Sequence, residues 1–506
     1  SAEVDRLLLT YLDAMAARSP RAVLLQAEAG MGKSRLAQEL LSGLETSSSA
    51  PAVWIARGDP VSAGSPFSLL AQLVHAMAGI AEGETMAIRQ AKLHRRLSEF
   101  FQGAELKRVE AFLGELSRTP YPSEFCLQLH VARQDPQFMA EQTRRAWEDL
   151  ISVMSAKQPL VIVLDDCQWG DLATLRYCDH AMRSASTGAL LLLVLARPGT
   201  SPWAALEGNP AVTRVVLERL SNDDCAAFLR RVLGDGLSPD LVRRLIERAG
   251  GNPLLLEELA RAVGQRGEEQ LEDTISSLIH ARLQSLGFDA RQILRAASVF
   301  GQVFWLDGVV ALRQRGSSAA IVREWLEELV DQEVVVRRPV SRYPGEEEYE
   351  FHHLSLRDAA YGMLTEEDTL AAHRSVARWL SERGESNSYI LAEHFRLGGE
   401  PAEAARFYAE AGRQAFMRNE FEAVRDITER AFSCFTSNDE VMGSLELLRA
   451  EAEAVTGRHA EASRYALRAM EHLPESSARW LAAAGEASLA SARSGDHDRV
   501  LEVIRR

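Results

Sequence analysis

The stretch 27-AEAGMGKSRL-36 decides how the chain is read. A loop ending in Gly-Lys-Ser is a phosphate-binding loop when it joins a buried strand to a helix. Both flanks fit. Residues 21-RAVLLQ-26 form a short apolar run, the pattern of a buried parallel strand, and 34-SRLAQELLSGL-44 carries apolar residues at helical spacing. Gly30 and Gly32 let the backbone curl so that its N–H groups point inward at phosphate oxygens. With Met31 and Arg35 they complete the turn and the start of the helix, whose N-terminus adds partial positive charge. Lys33 is placed to reach the β- and γ-phosphates, and Ser34 to give an oxygen to Mg2+. The consensus loop begins with Gly, and here Ala27 stands in that place. At a strand end its methyl is tolerated if φ stays negative, so a working site is expected.

A phosphate loop needs a metal-holding acid on a second buried strand. The segment 160-LVIVLDDCQWGD-171 supplies one, ending five apolar residues in Asp165 and Asp166 at the strand edge where open α/β sheets bind ligands. Asp165 is expected to hold Mg2+, through water, and Asp166 to polarise the attacking water as general base. A further apolar run, 190-LLLLVLARPGT-200, puts Arg197 just past a strand end, within reach of a γ-phosphate. Residues 52-AVWIAR-57 read as another strand. The long helical insert between about 67 and 157 is expected to pack on the sheet.

Composition bounds the rest. The chain has 506 residues, 46% of them hydrophobic and 25% charged, an ordinary globular balance with room for three or four domains. No apolar run approaches the ~20 residues of a membrane span. Five scattered cysteines without a C-x-x-C pair fit a reduced, cytoplasmic protein without disulfides or structural zinc. A formal charge of -15 opposes nucleic-acid binding as the main role of the chain. The missing initiator Met and an end inside a helical repeat are read as marks of a fragment of a longer protein.

Downstream the pattern turns helical. Ser221 and Ser238 each precede a helical run with acids in its first turn, and 250-GGNPLLLEELARAV-263 breaks the chain and restarts it. Helices, then 333-EVVVRRPV-340, a charged turn and 347-EEYEFHHLSLRDAAYGML-364 describe a winged helix. From 376 on, turns at Asn419, Gly457 and Gly495 recur every 38 residues, with small residues in phase at Gly412, Ala450 and Ser488. This is slightly longer than the tetratricopeptide repeat of about 34 and predicts a helical solenoid.

Taken together, 27-AEAGMGKSRL-36, the double acid in 165-DDCQWGD-171 and Arg197 after its strand resemble the STAND class, the signal-transduction ATPases with numerous domains. The stretches 57-RGDPVSAGSPFSLL-70 and 132-ARQDPQFMAEQTRRAWEDL-150 look closest to bacterial fusions in which a Ser/Thr kinase domain precedes the ATPase and its repeats. The resemblance implies that Pro253, in a G-x-P element, packs on the nucleotide base. It also implies that His353, in an F-x-H element, contacts the β-phosphate of ADP. The expected architecture is multidomain: an α/β P-loop domain with a parallel five-stranded sheet (1–203), a helical lid (204–270), a winged helix (271–375) and an all-α repeat solenoid (376–506). The expected function is an ATP-binding, slowly hydrolysing switch that uses ATP/ADP and Mg2+. It is closed with ADP and becomes a homo-oligomer on ATP binding. Its inducer or protein partner on the repeats is unknown, and its effector domain is expected in the same full-length chain. Neither a membrane nor nucleic acid is an expected partner of this stretch. The rival readings are a DNA-binding regulator, a ring motor and a scaffold without turnover. The chain carries no kinase H-R-D or D-F-G motif.

Overall fold

The computed structural model describes residues 2–45, 50–184, 188–199, 206, 208–234, 236–266, 275–313, 318–434 and 439–505. They form two compact units. The first holds 1–59, 151–170 and 178–365, and the second holds 60–150, 171–177 and 366–506.

In the first unit five strands make one parallel sheet: β1 (Arg21–Gln26), β2 (Ala52–Arg57), β3 (Leu160–Asp165), β4 (Leu190–Ala196) and β5 (Val212–Val216). Their order is β2-β3-β4-β1-β5. β3 and β4 are buried along their whole length, which is why they read as unbroken apolar runs. Helices Ala2–Ala17 and Lys33–Glu45 close one face, with Leu7, Tyr11, Leu40 and Leu44 packed in one core with Val23, Leu25, Val163 and Leu193. The register sets Arg57 opposite Asp165 and Gln26 opposite Ala196. The functional ends of the strands therefore lie along one edge.

The expected boundary at 203 falls outside the described residues, but β5 corrects it. The sheet takes residues up to Val216, because β1 has a second free edge that β5 fills in parallel register. The stretch expected to be a lid is three helices, Asn222–Leu233, Pro239–Ala249 and Pro253–Arg266, around Leu229, Leu245, Leu256 and Leu259. Its starts are capped as expected. The Ser221 hydroxyl accepts from the Asp224 N–H at 3.1 Å, and Ser238 from the Leu241 N–H at 3.2 Å. Next comes a module with helices Phe288–Ser298, Ala319–Asp331 and Leu354–Tyr361 and a small antiparallel sheet. That sheet is β6 (Val303–Trp305), β7 (Val335–Arg337) and β8 (Glu348–Phe351), ordered β6-β8-β7.

The second unit is helical and corrects two expectations. The insert does not cluster with the sheet: residues 60–150 group with the C-terminal helices. Buried and half-buried polar contacts tie them. The Arg418 guanidinium donates to the Glu115 carbonyl at 2.7 Å, Ser65 Oγ to Asn387 Oδ1 at 3.1 Å and Ser386 Oγ to Glu82 at 3.1 Å. The boundary set at 375 also moves. It would cut the continuous helix Glu366–Glu382, whereas the second unit begins again at Glu366. Further on, helix pairs Pro401–Met417 with Phe421–Ser433, Asp439–Val455 with His459–His472 and Ala478–Ser494 with His497–Arg505 repeat along the chain. Asn419, Gly457 and Gly495 occupy the same turn with φ of 63°, 80° and 80°. Asn and Gly are the residues that take this conformation at least cost, which explains the periodic signal. Gly412 faces Leu448, and a Cβ there would lie 2.8 Å from its Cδ2. All five cysteines are free thiols. Among the described residues no helix is long and apolar enough to cross a membrane.

Candidate nucleotide site

The loop after β1 curls through Gly30 (φ 76°) and Gly32 (φ 84°), the two positions where a left-handed backbone requires glycine. Ala27 does not take a positive φ. It extends the strand: its N–H donates to Ala196 at 3.2 Å, and its carbonyl accepts from Lys33. The missing consensus glycine thus leaves the curl intact. Lys33 opens the helix Lys33–Glu45 and folds back under the loop, its Nζ donating to the carbonyls of Ala27 (2.9 Å) and Glu28 (3.0 Å). Burial lowers the Lys33 pKa below its ordinary value. The charges of Asp166 and Asp165 oppose this shift, and Arg197 adds to it. Lysine and arginine therefore share one edge of the sheet with both acids. Met31 is buried in the loop, while Arg35 points outward and pairs with Glu39 at 3.3 Å.

Ser34 and Asp165 meet as the motif requires, Oγ to Oδ1 at 3.1 Å. The same Oδ1 accepts from the Asp166 N–H at 2.9 Å, and Oδ2 faces the Arg57 guanidinium at 3.3 Å. A hydroxyl and a buried carboxylate oxygen side by side are a hard-oxygen pair of the kind that suits Mg2+. Asp166 turns in a left-handed conformation (φ 48°), held by Gln168 Nε2 donating to Oδ1 at 2.8 Å. Burial raises the Asp166 pKa, and the neighbouring Asp165 charge raises it further; Gln168, Arg57 and Lys33 pull the other way. Gly58 lets this turn sit close to β2: its N–H donates to the Asp165 carbonyl at 2.9 Å, and a Cβ would meet the Asp166 carbonyl at 2.4 Å.

The lid reaches the loop directly. The Leu254 N–H donates to the Gly30 carbonyl at 3.1 Å, and Asn252 Nδ2 to the Ala29 carbonyl at 3.2 Å. Pro253, between them, is the first residue of its helix, where its missing N–H leaves no extra gap. Gly30 is doubly constrained, because a Cβ would also lie 2.8 Å from Leu254 Cβ. Asn252 escaped the sequence reading. Its signal was an Asn in cap position before Pro; its loop partner lies 223 residues away. Asn252 Oδ1 also caps the helix through the Leu255 N–H at 3.2 Å. Asn252→Ala is expected to cost about 1 kcal/mol from the lost cap alone, read as a lower unfolding midpoint of the first unit, and to weaken nucleotide binding through the loosened loop.

His353 starts the helix Leu354–Tyr361, its ring edge-on to His352 at 4.5 Å. Burial pushes its pKa down to about 3, helped by His352, Arg282 and Arg261. The imidazole is therefore neutral at physiological pH, and its buried Nε2 lacks a hydrogen-bond partner. Glu257 of the lid, His352 and His353 bring one donor atom each within 4.8 Å of one another. The charges of Arg282 and Arg261, which add to the effect of burial on His353, disfavour a metal ion there. Arg57 also went unread in the sequence, although an arginine at the end of a parallel strand beside the acidic strand was the available clue.

Residues 1–195 match the AAA ATPase domain family. An uncharacterised protein of Rhizobium meliloti (strain 1021) is 25% identical over 319 residues, which are 59% of this chain. The chain spans 30% of that relative's length. Among solved structures, a STAND protein with a tetratricopeptide repeat sensor from Pyrococcus horikoshii aligns over 97% of this chain and 70% of its own, with 13% identity and a TM-score of 0.41. The Aeropyrum pernix ORC1 protein in complex with DNA aligns over 72% and 92%, with 15% identity and a TM-score of 0.34. The glycine-curled loop, the buried lysine and the serine–aspartate pair at the sheet edge all lie within the residues that match this family, so the N-terminal part of the chain is similar to an AAA ATPase domain.

Proposed function

We propose that the protein is a STAND-type switch that binds ATP, hydrolyses it slowly and reads the difference between ATP and ADP as a change of shape. The observation that carries this reading is the lid turn hydrogen-bonded to the phosphate loop through Leu254 and Asn252. A loop whose carbonyls hold the lid cannot rearrange around phosphates without moving it. Lys33 exchanges its two carbonyl partners for phosphate oxygens. Ser34 and Asp165 would hold Mg2+, which would supply charge neutralisation for the phosphates. Asp166 accepts a proton from the attacking water, and Arg197 senses the γ-phosphate. Pro253 walls the base. His353 offers its unpaired Nε2 to the β-phosphate of ADP; a nearby anion would raise its pKa from the low value of the nucleotide-free chain. The module carrying His353, helices with a three-stranded sheet, is read as a winged helix held in the closed state, and the repeats as the surface for an inducer.

The wing is a poor DNA reader. Arg337 pairs with Glu347 at 3.1 Å and Arg338 with Glu348 at 3.1 Å, so acids neutralise both of these bases. A switch works only if ADP and ATP differ in affinity for its two shapes. Light scattering after size exclusion checks this. A monomer is expected with ADP and an assembly with a non-hydrolysable ATP analogue, and Lys33→Ala should stay monomeric in both. An equal mass in all cases would sink this simple switch and leave a constitutive scaffold or a switch that needs an inducer or further domains.

A further inference from the structure

The short turn Cys167–Trp169 follows the two acids directly. It is well anchored. The Trp169 N–H donates to the Asp166 carbonyl at 3.0 Å, the Gly170 N–H to the Cys167 carbonyl at 3.0 Å, and the Cys167 side chain is fully buried. Gln168, in the middle of the turn, folds its amide back on Asp166, with Nε2 donating to Oδ1 at 2.8 Å. This fixes which way round the amide lies, because the reverse would set an oxygen against a carboxylate. Gln168 Oε1 is enclosed and has no donor among the described residues. Among the same residues, Gln168 is the only side chain that donates to the Asp166 carboxylate, and it does so on Oδ1. An amide and a carboxylate that are bonded to each other thus each keep an acceptor oxygen without a protein donor. The Asp166 charge acts on Lys33 more strongly than that of Asp165 or Arg197, so the pair lies by the phosphate loop. A phosphate group offers only acceptor oxygens and is repelled by such a pair. A water molecule has two O–H groups and matches it.

We propose that Gln168 is a second catalytic residue of the hydrolysis, an amide whose Oε1 accepts one O–H of the attacking water while the free oxygen of Asp166 accepts the other. Gripped by both hydrogens, the water presents its lone pair to the γ-phosphorus. Its oxygen bonds to that phosphorus as the bond to the β–γ bridging oxygen breaks, and ADP leaves with that electron pair. The proton facing Asp166 passes to the carboxylate. The hydrogen facing Gln168 stays on the oxygen and leaves as part of the product phosphate, so Gln168 neither gains nor loses a proton. The enclosure of Oε1 keeps bulk solvent off it. The hydrogen bond it lacks is supplied only when the loop reorders around phosphates and admits a water with them. The inference rests on the reading of Asp166 as general base.

The experiment uses the full chain with Mg2+ and ATP. It reads the single-turnover rate of phosphate release and, separately, ATP affinity by competition with a fluorescent analogue. Gln168→Met roughly keeps the volume and loses both polar amide atoms. It should release phosphate about a hundredfold more slowly, the cost of a misaimed nucleophile, with ATP affinity and the unfolding midpoint close to the wild type. A residue that only held Asp166 would cause the same loss, so the decisive variant is Gln168→Met in the Asp166→Asn background. With the base gone, a mere holder has nothing left to aim and the residual rate stays where it is. A group that grips the water itself should lower that rate about tenfold further. Gln168→Met at the wild-type rate, a loss confined to ATP affinity, or a double variant no slower than Asp166→Asn overturns the assignment. The reading beneath it fails differently. If Asp166→Asn releases phosphate at the wild-type rate, Asp166 is not the base; if Asp166→Asn is slow and Gln168→Met is not, only the role of Gln168 is wrong.

Discussion

Lys33→Ala is expected to lower ATP turnover by roughly a hundred- to a thousandfold, the usual loss when one preorganised donor to the reacting group is removed, and to weaken nucleotide binding with it. The surroundings of Lys33 are the reason to expect a large effect on activity and a small one on folding. Lys33 is buried at the base of the loop, its ammonium held by the carbonyls of Ala27 and Glu28. These are weak partners for a cation whose pKa is already lowered by burial. Phosphate oxygens are better ones, so the ammonium gains more in the bound state than it gives up in the free state. Alanine removes that gain. It leaves the left-handed turns at Gly30 and Gly32, which do not depend on the lysine side chain. A calorimetric titration with ATP and a steady-state phosphate assay, beside an unchanged circular dichroism spectrum, check the expectation. Turnover within tenfold of the wild type would place the chemistry elsewhere.

The parts of this site legible in the sequence are those whose physics is local. The loop glycines, the strand before them and the helix after them are set by backbone conformation and apolar spacing within a few residues. The lid caps at Ser221 and Ser238 are local too, as are the left-handed turns at Asn419, Gly457 and Gly495 that betray the repeat. What escaped depends on partners far along the chain. β5 is a short edge strand with Arg214 in its middle and only Val215 fully buried, so it lacks the apolar run that exposed β3 and β4. Arg57 gains its meaning from Glu350, 293 residues away, and Asn252 from Ala29. The grouping of the insert with the repeats rests on contacts such as Arg418 with Glu115, which no periodicity announces. Asp165 and Asp166 already had different expected roles, metal and water. The fold gives them different neighbours, Ser34 and Arg57 for Asp165 and Gln168 for Asp166.

That separation sets the second large effect. Asp166→Asn should lower turnover by about a hundred- to ten-thousandfold, the range for loss of a positioned general base, while nucleotide binding stays the same or tightens. Asparagine is a mild substitute here for two reasons. It tolerates the left-handed backbone that Asp166 adopts, and it can still accept the hydrogen bond from Gln168. Its neutral side chain also relieves repulsion from Asp165, part of what raises the Asp166 pKa, and removes a negative charge facing incoming phosphates. The variant thus loses the proton acceptor and keeps the site. In a switch that resets by hydrolysis, it should remain assembled after ATP is added, and light scattering over time should show the wild type falling back to monomer while Asp166→Asn does not. If the variant disassembles at the wild-type rate, the reset does not run through Asp166. If wild-type turnover is already negligible and the substitution changes nothing, the domain binds nucleotide as a scaffold. A switch and a scaffold differ at this one carboxylate because only the switch needs a proton acceptor beside the metal site.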